Sequence, residues 1–149
     1  MTGFLLLKWI HVMSAIVAVG ANVTYGVWGA RAKGEPEHLG FALRGLKFLD
    51  DRIANPAYGI LLVTGLIMAF TTYSITTRFI LAGLILFVLM AVLGGAVYSP
   101  ALVRQIKALD TEGAASRAYQ AADARARGVG MFLGLLAVIA VFVMVFKPT

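Results

Sequence analysis

At 149 residues, 60% of them hydrophobic and 13% charged, the chain departs widely from the roughly 45–50% apolar and 25% charged usage of soluble domains. Water is therefore excluded as its main solvent. The formal charge of +6 comes with no basic run interleaved with aromatics, which excludes nucleic acid as a partner. The absence of cysteine removes disulfides, thiolate metal sites and cysteine nucleophiles.

Asp, Glu, Lys and Arg are missing from four windows, 9–30, 53–77, 79–103 and 128–146. Each exceeds the roughly 18 residues of a membrane-spanning helix. The expected fold is all-α, a four-helix transmembrane bundle with helices at about 4–31, 53–72, 76–109 and 112–147 and an amphipathic connection over 36–52. The first window reads as a span rather than a cleaved leader, because Lys8 lies inside the apolar run and the window continues through Asn22, Tyr25 and Trp28.

In the first helix, His11, Ala15, Ala18, Asn22, Tyr25 and Gly29 recur at three and four, one small and polar face. Such a face is expected to turn towards other helices, with Asn22 and Tyr25 as its polar packing residues. The connection after it places Leu39, Leu43, Leu46, Leu49 and Ile53 on one side of a helix, an apolar face able to lie at the interface. His38, in the Glu35-Pro36-Glu37-His38 loop, reads as solvated. In the second and third helices, Pro56 after Asn55 and Pro100 after Ser99 predict local kinks, with a hinge as the functional reading. The next connection is expected to be helical over the Ala-rich stretch 114–126, started by Asp110 or Thr111. Gly20, Gly26, Gly59, Gly65, Gly83, Gly94 and Gly95 are expected to support close packing.

Lys and Arg gather in the two connections, at Arg31, Lys33, Arg44, Lys47 and Arg52, then at Arg104, Lys107, Arg117, Arg125 and Arg127. The positive-inside bias places these in the cytoplasm and both termini outside, periplasmic or extracellular in a bacterial inner membrane. The two halves share a plan that resembles a parallel repeat, with weak sequence match.

His11 is the ionisable side chain that lies within a span, and so a candidate haem ligand, metal ligand or proton carrier. The competing reading is a neutral imidazole that hydrogen-bonds a neighbouring helix. Met13, Met68 and Met144 belong to the same outer layer, and imidazole with thioether suits Cu(I) or haem iron. Arg78, at the outer start of the third helix, can pair with a haem propionate. Methionine in an apolar helix is more often a gap filler than a ligand. All seven acidic residues fall in the two connections, so a carboxylate pair inside the bundle and a proton-coupled carboxylate transporter are not expected. No phosphate loop, His pair at metal spacing or Ser/His/Asp set is present.

The run Leu7-Lys8-Trp9-Ile10-His11-Val12, the stretch from Asn55-Pro56 to Thr64-Gly65, and the ending Phe146-Lys147-Pro148 resemble a bacterial membrane superfamily. It holds the CopD-type copper resistance proteins, the HemJ-type protoporphyrinogen oxidases and a family of predicted four-helix integral membrane proteins of about this length, to which the chain looks most similar. The HemJ resemblance implies a b-type haem on His11. It also implies a lysine in the third helix, where 79–103 has none and Arg78 is the nearby cation. The CopD resemblance implies copper handling at the outer face. The resulting expectation is an accessory or cofactor-binding membrane module, with haem b ahead of copper and oxidase activity not expected. The alternatives are a structural or assembly subunit of a larger membrane complex, and a small transporter or copper-handling protein. A homodimer would supply a second His11.

Overall fold

The computed structural model describes residues 2–147. Lipid offers backbone groups no hydrogen-bond partner, so an apolar chain satisfies them internally as helix. Four long apolar helices result, Thr2–Ala32, Pro36–Thr71, Arg78–Glu112 and Arg117–Phe146. The first is α1 (Thr2–Ala32). The second comprises a short 3-10 turn, α2 (Leu39–Leu49), a π turn (Asp50–Ala54) and α3 (Asn55–Thr71). The third is α4 (Arg78–Leu93), a second π turn (Gly94–Tyr98) and α5 (Ser99–Glu112). The last is α6 (Arg117–Phe146).

Pro56 and Pro100 each stand second in the α-helix that follows a π turn. There the N–H of Asn55 reaches back to the Asp50 carbonyl and that of Ser99 to Gly94. A proline ring clashes with the carbonyl one α-turn earlier, and a widened turn relieves that clash. The helices thus pass through Pro56 and Pro100 instead of ending there.

Around the bundle the order is α3, α1, α6, α4: α1 packs on α3 and α6, and α6 also packs on α4 and α5. The neighbours in sequence, α3 and α4, barely meet along their length. That side is bridged by an edge contact of Tyr58 on Phe87 and, at the end bearing the termini, of Tyr73 on Phe79. The outer surface is apolar, with Leu5, Trp9, Ile16, Val23, Ile85, Val92, Val138 and Val145 all exposed. The bundle therefore presents lipid-compatible side chains where a soluble protein would be polar.

At the opposite, basic end, α2, α5 and the start of α6 extend past the apolar belt. Leu39, Leu43 and Leu46 of α2 bury against α5, so this segment packs its apolar face on the bundle. The buried stripe then continues through Asp50 and Ala54, while Leu49 is only half-buried and Ile53 is exposed. Asp50 and Ala54 follow Leu46 at successive spacings of four, and so share its face in place of Leu49 and Ile53.

The start of the last helix also differs from expectation. The helix before it runs to Glu112, and Gly113 ends it at φ 83°, its N–H bonding the Ala108 and Leu109 carbonyls. Ser116 is the cap of α6, its hydroxyl oxygen accepting from Tyr119 N at 3.1 Å. Asp110 is instead paired with Arg44 at 3.1 Å, and the Thr111 hydroxyl donates to the Lys107 carbonyl within α5. Neither is free to cap.

Candidate functional site

Three polar positions of the α1 stripe face the helix formed by α2 and α3. Nearest the terminal end, His11 Nδ1 lies 3.0 Å from the Thr64 hydroxyl oxygen. That hydroxyl has a single hydrogen, and the Ile60 carbonyl at 2.7 Å takes it. With its hydrogen on that carbonyl, the oxygen is open to accept from Nδ1–H, the tautomer that carries the lone pair on His11 Nε2. Gly65 makes room for the ring: a Cβ there would stand 3.0 Å from the imidazole Cε1. Thr64 is itself buried and His11 half-buried.

Further in, the Asn22 amide donates to the Tyr58 hydroxyl and to the Ala18 carbonyl. Asn22 is thus both tied to α3 and bonded back into its own helix. Tyr25 is buried and its ring stacks on Tyr98, with centroids 5.9 Å apart and planes 9° from parallel. Tyr98 in turn lies over Gly130 of α6, where a Cβ would be 3.3 Å from its ring.

The sequence reading missed the residue below this stack. Asp50 is 8% exposed, a carboxylate inside the bundle where none was expected, four residues after Leu46 on the same buried face. Its Oδ2 and the Tyr25 hydroxyl are both buried without a hydrogen-bond partner. An unsatisfied buried polar group costs about 1–3 kcal/mol. The signal was present in the spacing Leu39, Leu43, Leu46, Asp50, Ala54, Ala57, which keeps helical period once the carboxylate is admitted to the stripe.

The candidate sulfur ligands lie in different parts of the bundle. Met144 seats its methyl where a Cβ on Gly83 would lie, in the α4–α6 interface, whereas His11 seats against Gly65 in the α1–α3 interface. Met68 is one helical turn beyond Thr64 on α3, half-buried, and Met13 faces outward. Arg78 is exposed at the first turn of α4. The Lys147 ammonium stands 5.7 Å from the Tyr73 and Phe79 ring centroids; Pro148 of the same terminal motif lies outside the described residues. No group of three or more His, Cys, Asp or Glu converges among the described residues. His38 is exposed.

The glycines divide. Only Gly65, Gly83 and Gly130 sit within a helix interface such that a side chain there would press on another helix. Gly20, Gly26, Gly59, Gly94 and Gly95 have open space around the missing Cβ, which corrects the expectation that they support close packing.

With the bundle and its polar stripe described, comparison places the chain. A model of predicted integral membrane proteins, DUF2269, matches residues 5–148. The chain belongs to the DUF2269 family. The DUF2269 match spans all four apolar helices, and no curated protein and no solved structure matches the chain. Nothing in these comparisons links it to the copper-resistance or protoporphyrinogen-oxidase families.

Proposed function

We propose that the protein is a cofactor-carrying module of a bacterial inner membrane, holding a b-type haem through His11 Nε2. The observation that carries this reading is the Nδ1–Thr64 hydrogen bond, since a ligating imidazole characteristically donates its other N–H to a fixed acceptor. Haem would supply one-electron chemistry; the chain would hold the imidazole in one tautomer and offer Arg78, exposed at the same end, to a propionate. In a homodimer, His11 of another copy would offer a second imidazole. Copper fits less well, because Met144 is engaged against Gly83 in a different interface.

Haem content measured as the pyridine complex tests the reading. Wild-type protein produced with ample haem is expected to be stoichiometrically loaded, and His11→Ala to lose at least about tenfold of its haem. Equal content in the two, or none in either, would end it.

A second reading, an assembly subunit without cofactor, is favoured by a separate observation. Phe41 is 81% exposed and Phe48 61% exposed on α2, beyond the apolar belt. With Trp28, Ala32 and Gly45 they line a cleft of about 340 Å³ that a partner's apolar side chains would fill.

The orientation proposed is basic end in the cytoplasm and termini outside, from the Lys and Arg bias. The chain has no cysteine, so single replacements report cleanly. In intact cells, Thr76→Cys between α3 and α4 is expected to react with an impermeant maleimide while Ala114→Cys is protected. The reverse pattern would invert the topology.

A further inference from the structure

We propose that the cleft between the end of α1 and α2 is a binding site for the headgroup of a zwitterionic phospholipid, an ammonium joined to a phosphate. It gives the cleft of the second reading a lipid in place of a protein, and it does not depend on the haem reading. Trp28, Phe41 and Phe48 line the cleft together with Arg31 and Glu35. Each of the three rings is more than half exposed. Among the described residues, none of them pairs with another aromatic ring, and no protein cation stands over any of them. Three aromatic side chains around one space of about 340 Å³ are a surround that takes an organic ammonium.

The order of the residues matches the order of the ligand. Arg31 is the first charge after the apolar window 9–30, which puts it at headgroup depth. Trp28 stands about one turn before it, at the end of the apolar belt, and Glu35 follows four residues beyond it. The chain of α2 runs back towards the belt, so Phe48 is nearer to it than Phe41 by about 10 Å along the helix. Glycerol and the first methylenes then lie against Trp28 and Phe48, the phosphate at Arg31, and the ammonium at Glu35 and Phe41. This gives Phe41, which stands beyond the reach of acyl chains, a partner.

Charge decides the class of lipid. Arg31 Nη2 and Glu35 Oε1 are 3.7 Å apart and both side chains are more than half exposed, a contact longer than a hydrogen bond and of little strength. Opening it costs little, and a zwitterion answers both halves: the guanidinium donates to the phosphate, and the carboxylate faces the ammonium. A headgroup carrying negative charge alone would meet Glu35 as a like charge. A purely apolar partner would answer neither charge.

Lipid retention by the full chain tests the proposal. The protein is reconstituted in vesicles of equal parts dioleoyl phosphatidylcholine and dioleoyl phosphatidylglycerol and extracted in mild detergent, and the lipid that stays bound is quantified by native mass spectrometry. Wild type is expected to keep one phosphatidylcholine, enriched at least about tenfold over phosphatidylglycerol. Phe41→Leu keeps an apolar side chain and removes the π face, and is expected to lose most of that preference. Glu35→Gln is expected to lose it as well and to retain more phosphatidylglycerol, since Arg31 then faces no carboxylate. Phe132→Leu, on the lipid-facing side of α6, is expected to behave as wild type. Phe41 and Phe132 are both exposed, so neither replacement disturbs the core. Phosphatidylglycerol retained as well as or better than phosphatidylcholine, or no lipid retained at all, would overturn the site and leave the cleft to a partner protein. So would a preference unchanged in Phe41→Leu, or one lost equally in Phe132→Leu, which would trace it to the aromatic residues of the belt.

Discussion

Asp123→Ala is expected to destabilise the protein by about 2–3 kcal/mol. The Asp123 carboxylate is mostly covered, with its side chain 15% exposed, and it accepts from Lys33 at 2.8 Å, Arg127 at 2.9 Å and Gln105 at 3.0 Å. It thereby ties the end of α1 to α5 and α6. Gln105 is 4% exposed and also donates to the Tyr119 hydroxyl at 3.3 Å, so removing the carboxylate strands part of a buried amide as well as two cations. The cost stays below that of a fully buried pair because the side chains of Lys33 and Arg127 are 39% and 55% exposed. Equilibrium unfolding in mixed micelles measures it. Asp110→Ala is the control: its pair with Arg44 is more than half exposed on both sides, and a loss of about 0.5 kcal/mol or less is expected. Equal losses in the two variants would show that coverage of Asp123 is not what matters.

Thr64→Val is expected to weaken haem binding by about 10–100-fold. Valine keeps the volume of threonine and its branching, so the packing of α3 on α1 survives, while the acceptor for His11 Nδ1–H disappears. The imidazole is then free to rotate or to change tautomer, and Nε2 is no longer held as the lone-pair nitrogen. Competition between the variant and an apo-globin for haem measures the ratio of affinities. Thr64→Ser, which keeps the hydroxyl, is expected to remain within a few-fold of wild type. Equal loss in the serine and valine variants would assign Thr64 to packing alone.

The four spans were legible because lipid excludes charge, and the charge-free windows follow directly from that cost. The inward face of α1 was legible for the same reason: His11, Asn22 and Tyr25 need polar partners, and the structure gives the first two Thr64 and Tyr58. Asp50 was passed over although it continues the three-and-four spacing of Leu39, Leu43 and Leu46, because every acidic residue was assigned to a solvated connection on composition alone. The glycines misled in another way. Close packing depends on which residue of the opposite helix arrives at each level, as His11 does at Gly65 and Tyr98 at Gly130, and a single chain read alone does not contain that pairing. The last helix was started too early because Asp110 and Thr111 look like caps until Arg44 and the Lys107 carbonyl claim them.

If His11 holds a haem through Nε2, as proposed, the absorption spectrum of the detergent-purified protein carries its signature. A Soret band that shifts on dithionite reduction, with resolved bands at longer wavelength, is expected in the wild type and absent from His11→Ala. A flat spectrum from wild-type protein made with adequate haem supply would contradict it and leave His11 as a hydrogen-bonded packing residue between α1 and α3.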